Sequence, residues 1–217
     1  MIIEFFGLPG SGKTANMKEL LRHYGADAQQ VLPDHGALKN VRLVFSTEFF
    51  AFLRKILGLW LRKKHKVHYD LTTLYYYSLL YLAYMKLREE RGTRFFVLDH
   101  GLVQCLSSLA WDEPKLYEKC GAVFQHISRY FKAEIRFVFT DYENDDILVK
   151  RIQTREYDVR LKHFAPEDAK RVLQTQRLFF AQAAAALQAD FSVLALDSTR
   201  PLSENTERLC RALDEPG

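Results

Sequence analysis

Apolar residues fall into two alternating patterns along the chain. Runs at residues 2–6, 94–98, 135–139 and 192–196, with a weaker one at 30–32, are too short for helices and rich in β-branched or aromatic side chains, so they predict five strands. Between them, Met17, Leu20, Leu21 and Tyr24 recur at i, i+3, i+4, i+7 until Gly25. Phe49, Phe52, Leu53, Ile56, Leu57 and Trp60 keep the same period, so both stretches predict helices that bury one face. A longer helix is expected over residues 70–91, with Asp70 as its N-cap and Gly92 at its stop. Another should begin at Pro166, whose fixed φ suits a first helical turn, and run to about residue 189. The last should start near Ser203. No Gly/Ser/Pro-rich linker or repeat interrupts this alternation. It predicts one α/β domain over residues 1–217, with a mainly parallel five-stranded sheet flanked by helices.

Composition narrows the function classes. With 217 residues, 48% hydrophobic and 27% charged, the chain can build a sizeable core, which excludes disorder. A net charge of +4 suits an anionic ligand but falls short of a dedicated nucleic-acid binder. Cys105, Cys120 and Cys210 are widely spaced and odd in number, which fits a reducing, cytoplasmic setting. The chain opens directly on an apolar strand, without the basic leader of an export signal. Its longest uncharged run, residues 71–85, is too short and too tyrosine-rich to span a bilayer.

The chemistry is concentrated after the first strand. Gly7-Leu8-Pro9-Gly10-Ser11-Gly12-Lys13-Thr14 matches G-x-x-x-x-G-K-S/T between a predicted strand and a predicted helix. Glycines let such a loop turn its N–H groups onto phosphate oxygens, and the positive end of the following helix points at the same anion. The nucleotide-binding candidates are therefore Gly7, Pro9, Gly10, Ser11, Gly12, Lys13 and Thr14: Lys13 would reach the β and γ phosphates, and Thr14 would give its hydroxyl to Mg²⁺. Residues 95–98 are four apolar positions ending in Asp99, which a parallel strand would deliver beside the loop as a second Mg²⁺ contact or as a base. A strand-ending Asp that merely caps a turn at Gly101 is the simpler alternative. The segment around Arg151, Arg155 and Arg160 supplies cations suited to a lid over a transferring phosphoryl group; the first two, one helical turn apart, would share a face. A solvated basic helix face is the competing reading. The guanine-reading N-K-x-D element of GTPases is absent.

In order and spacing, these motifs make the chain resemble P-loop nucleoside and nucleotide kinases, most of all thymidylate kinase and its deoxynucleoside-kinase relatives. The likeness runs over nearly the whole length: phosphate loop, long helix leading into the Asp99 strand, Arg-x-x-x-Arg-x-x-x-x-Arg after the fourth strand, then a final strand and helix. It implies a three-layer P-loop fold, ATP and Mg²⁺ as cofactors, and transfer of the γ-phosphoryl to a small acceptor. It also implies an acceptor region at about 37–92, a lid at about 150–163, Asp99 at the acceptor site, and a loop at 197–200 with Arg200 near adenine. Many relatives are homodimers. Where the thymidylate kinase pattern has arginine after the aspartate, this chain has His100, which lacks the planar fork that grips a monophosphate. The acidic acceptor element after the second strand is replaced by Leu32-Pro33-Asp34-His35-Gly36, in which Asp34 either takes over the carboxylate's role or only forms a turn. A nucleoside, a nucleoside monophosphate or another hydroxyl-bearing small molecule all remain open as acceptor. A binding module that holds ATP without transferring phosphate is the alternative from another class.

Three further features stand beside that scheme. Tyr75, Tyr76, Tyr77, Tyr81 and Tyr84 could line a pocket for a flat base, although packing accounts for most of them. Arg62-Lys63-Lys64-His65-Lys66 closes a helix carrying Phe49, Phe50, Phe52 and Trp60; this reads first as a solvated helix end and second as contact with an anionic membrane. His100 could shuttle protons or simply bond beside Asp99.

Overall fold

The computed structural model describes residues 1–31, 41–63, 68–90, 92–109, 114–132, 134–155 and 160–214. Five strands form one sheet: β1 (Ile2–Gly7), β2 (Ala28–Gln30), β3 (Phe95–Leu98), β4 (Ile135–Asp141) and β5 (Val193–Asp197). The order is β2-β3-β1-β4-β5 and every pairing is parallel. β1 sits at the centre with all its residues buried, which accounts for an almost unbroken apolar run where one-sided strands would alternate. The registers Glu4↔Leu98, Gly7↔Thr140 and Asp141↔Asp197 bring the carboxyl ends of four strands to one edge.

Helices cover both faces, so the three-layer α/β expectation is met. On one face, α1 (Lys13–Tyr24) and α9 (Leu202–Asp214) close a small core of Ile3, Phe5, Met17, Leu20, Val97, Val138, Leu209 and Leu213. The opposite face is thicker. There α2 (Val41–Val44), α3 (Thr47–Leu61), α4 (His68–Glu89), α5 (Leu102–Leu109), α6 (Gly121–Phe131), α7 (Asp145–Gln153) and α8 (Pro166–Gln188) build the main core with Ile2 and Phe6. Alternation along β1 points Glu4 into that second core, where it is fully buried.

Helix ends refine the reading from sequence. α4 begins at His68, which puts Asp70 inside the first turn and removes it as an N-cap. Gly92, with φ of 102°, lies three residues past the end of α4. α9 starts at Leu202, so Ser203 is already helical. Ser46 and Asn144 are the caps the sequence did not single out: their side chains accept from Phe49 N and Ile147 N, both at 3.1 Å. On α3, Phe49, Phe52 and Ile56 face inward as the period required and Leu53 and Trp60 are half-buried, but Leu57 lies exposed on the other side with Phe50, and Leu59, outside the expected set, is buried instead. Among the tyrosines of α4, Tyr77, Tyr81 and Tyr84 are fully buried packing residues, Tyr75 is exposed and Tyr76 is half-buried.

Candidate functional site

The loop joining β1 to α1 is shaped by its glycines and held from three sides. Gly7 has φ of 141°, and a Cβ there would stand 2.0 Å from the Thr140 carbonyl oxygen, so β1 and β4 can run this close only without a side chain. Gly12 enters α1 at φ of 88°, another conformation disfavoured for other residues. Ser11 Oγ bonds Thr140 Oγ1 at 2.8 Å, Ser198 Oγ donates to the Ser11 carbonyl, and Gly7 N–H donates to Gln104 Oε1 at 3.2 Å. The loop is thus fixed before any ligand arrives. Lys13 arches back along it, its Nζ donating to the Gly7 and Leu8 carbonyls at 2.9 Å each. Burial, and then the positive charge of Arg155, pull the ammonium pKa from 10.5 to about 7, against the opposing pull of Asp99.

Register delivers Asp99 beside this loop. β3 neighbours β1, ends at Leu98, and leaves Asp99 where Thr14 Oγ1 donates to its Oδ2 at 2.9 Å. A hydroxyl and a carboxylate oxygen at this separation suit a small hard cation that takes its remaining ligands from phosphate and water, and no group of three or more His, Cys, Asp or Glu forms a closed metal cage among the described residues. His100 follows, its ring 6.1 Å from that of Tyr76; desolvation, then Lys13, hold its pKa below the ordinary histidine value. Burial raises Tyr76 to about 12, with Cys105 and Asp99 adding to the rise. Both groups feel the Asp99 carboxylate, which raises Tyr76 and opposes the lowering of His100.

The arginines approach from the β4 side. Asn144 caps α7, and the helix carries Arg151 to the loop, where Nη1 donates to the Gly10 carbonyl at 3.2 Å and the guanidinium lies 4.4 Å from the Tyr142 ring centre. α7 stops at Gln153, so Arg155 lies beyond the helix end and not on the face it was expected to share with Arg151; its charge is nevertheless felt at Lys13. Arg160 opens a short 3₁₀ turn, Arg160–His163, and its side chain lies outside the described residues. So does the 32–36 segment with Asp34. Arg200 is exposed and pairs with Asp197 and Glu204, beside a cavity of about 310 Å³ that Phe139, Asp141, Ala195 and Arg208 also line. The Ser198 bond to Ser11 ties this 197–200 turn to the phosphate loop.

One support belongs to no motif in the sequence. Glu4 accepts from Tyr84 Oη at 2.6 Å and from Val103 N at 2.7 Å, so a carboxyl on β1 anchors the first turn of α5. Gly101 closes over it: a Cβ there would come within 2.2 Å of Glu4 Cδ. The short stretch from Asp99 to Gly101 is therefore pinned at both ends. Gln104, Thr140, Ser198 and Glu4 carry no spacing signal, since each is a single polar residue in an ordinary strand, helix or turn. A charged residue within an otherwise apolar central strand was the one available hint.

Comparisons bear on the fold. No family model matches this chain, and no curated protein matches it. Solved structures do: deoxyadenosine kinase from M. mycoides with bound dATP is similar at a TM-score of 0.56 and 12% identity, covering 99% of this chain and 100% of that one. The same enzyme with products dCMP and a flexible dCDP bound gives 0.57 and 13%, with 99% of each chain covered. With bound dCTP it gives 0.55 and 12%, at the same coverage. At such identities the likeness establishes a shared fold over the whole chain.

Proposed function

We propose that the protein is a Mg²⁺-dependent phosphotransferase of the nucleoside-kinase type, moving the γ-phosphoryl of ATP to the hydroxyl of a small acceptor, a nucleoside before a nucleoside monophosphate. The observation that carries this reading is the convergence of Lys13, Thr14, Asp99 and Arg151 on one pre-braced glycine loop at the carboxyl edge of a parallel sheet. Loop amides and Lys13 would bind the β and γ phosphates, and the ammonium, held near neutrality by its surroundings, would regain full charge against them. Thr14 and Asp99 would hold Mg²⁺, which when bound neutralises charge on the phosphate oxygens. Arg151 and Arg155, with Arg160, would stabilise the equatorial oxygens of the group in flight. Asp99 also lies on the acceptor side, near Tyr76 and His100, where it would orient the attacking hydroxyl. His100 in place of an arginine favours an uncharged acceptor, because an imidazole offers no bidentate grip on a monophosphate. Adenine would lie near Arg200, against the turn that Ser198 ties to the loop.

That M. mycoides deoxyadenosine kinase shares the fold supports a nucleoside acceptor, and the absence of a guanine-reading N-K-x-D element supports ATP as donor. The direct test measures ADP release from MgATP against deoxynucleosides, ribonucleosides, their monophosphates, sugars and aminoglycoside-like alcohols. Acceptor-dependent ADP with a nucleoside, lost in Asp99→Asn, is the expected result. ATP binding with no acceptor-dependent ADP across the panel would refute transfer and leave a nucleotide-binding module.

A further inference from the structure

α3 is apolar on both sides, and only one side has a core to meet. Its inner face, Phe49, Phe52, Ile56 and Leu59, is buried against the main core. At about 100° per residue, Phe50, Leu57 and Leu61 fall within roughly 40° of one another on the opposite side. They are 52%, 47% and 59% exposed. The stripe continues onto α2 and the turn after it, where Val41 and Phe45 are 63% and 71% exposed and the Phe45 ring stands 6.4 Å from that of Phe50. A helix apolar all round normally lies inside a protein, and scattered single residues would not form a stripe.

Among residues 41–63 the exposed charges are of one sign: Arg42, Arg54 and Arg62. The one acid of residues 41–63, Glu48, is turned inward to Arg88 and to Tyr81 Oη. We infer that the outer face of α2 and α3, with Val41, Phe45, Phe50, Leu57 and Leu61 immersed and Arg42, Arg54 and Arg62 at headgroup level, seats the protein on the surface of an anionic lipid bilayer. Charge complementarity selects this occupant. Long arginine stems let apolar neighbours sink while the guanidiniums stay with lipid phosphates and carboxylates. A second copy of the chain meeting this face about a two-fold axis would set the same cationic patch against itself. The contact is peripheral, since no helix among the described residues is long and apolar enough to cross a membrane. The inference does not lean on phosphoryl transfer.

The test is co-sedimentation of the full chain with vesicles of phosphatidylcholine alone and of phosphatidylcholine with about one third phosphatidylserine. Anionic vesicles should retain the protein, neutral ones should not, and salt should weaken retention. Arg54→Gln/Arg62→Gln should lower partitioning about fivefold per cation removed. The triple variant Phe50→Ser/Leu57→Ser/Leu61→Ser should abolish it while its circular dichroism and thermal midpoint persist, because exposed positions carry little of the stability. Equal retention by both vesicle types, or undiminished binding of the triple variant, would overturn the inference. So would light scattering that finds a dimer which this triple variant converts to monomer, for then a second copy owns the face.

Discussion

Lys13 occupies the position where loss of one side chain separates binding from folding. Its ammonium is buried and its pKa depressed, so the folded state gains little from it, while the two carbonyls it bonds face a concave loop already braced by Ser11, Thr140 and Gln104. Lys13→Ala should therefore lower MgATP turnover by about a hundredfold or more with the thermal midpoint held, as a steady-state ADP assay beside a melting curve would register. Gly101 behaves in the opposite way. A methyl placed there meets Glu4 and not solvent, so Gly101→Ala should cost about 1–3 kcal/mol in urea unfolding. The cost should shrink in a Glu4→Ala background, because the two positions share one small space and their effects cannot add. Equal costs in both backgrounds would show that the close approach is not what selects glycine. The sequence displays Lys13 through its motif but gives no sign of why Gly101 is glycine, since the reason lies on another strand.

At the scale of elements, strands were the most legible. Burial of β1, β3 and β4 on both faces demands continuous apolar runs, and these stand out against amphipathic helices. β2, three residues with one side largely in solvent, was correspondingly displaced: it pairs over Ala28–Gln30, two residues before the expected run. α3 was legible as a helix and in most of its facing, but Leu57 was assigned to the wrong side and Leu59 missed, because apolar residues all along Ile56–Leu61 leave the period ambiguous there. The candidate site followed the same rule: the glycine loop and Asp99 announce themselves locally, whereas Ser198 and Gln104 are brought in only by the sheet register. The joint between β1 and α5 yields an element-scale prediction. Burial raises the Glu4 carboxyl from 4.5 to about 7, with the bonds from Tyr84 and the start of α5 pulling the other way. The folded chain thus holds this proton to higher pH than the unfolded chain. Its contribution to stability is full below the unfolded value, falls as pH rises towards 7, and stays lost above it, by about 3 kcal/mol for a shift of this size. Urea midpoints at about pH 5 and about pH 8 should show this decline in the native chain and a flatter profile in Glu4→Gln. Parallel profiles would mean that the carboxyl is already ionised throughout.

At the scale of the molecule, the carboxyl ends of the strands gather what the chain holds in separate segments. The loop after β1, Asp99 after β3, Arg151 on the helix after β4 and Ser198 after β5 all meet at one edge, while the helical layer on the thick face is locked by Glu48, Tyr81, Arg88 and His126. A polyphosphate bound there would meet groups from segments that only the fold gathers, Lys13, Thr14, Asp99 and Arg151, and would have no comparable site on the unfolded chain. By mass action, ligand at about a hundred times its dissociation constant adds about 2.7 kcal/mol of stability. For a chain of this size that is a rise of roughly 5–10 °C in thermal midpoint. MgATP should produce such a rise and AMP should not, since AMP lacks the phosphates that Lys13 and the loop amides would hold. Thr14→Ala and Asp99→Asn should each retain part of the shift while losing its dependence on Mg²⁺, because those two oxygens, and not the loop, are the cation's protein contacts in this reading. A full MgATP shift in Lys13→Ala, or a Mg²⁺ dependence untouched in both oxygen variants, would separate the bound nucleotide from this edge of the sheet and require another site for it.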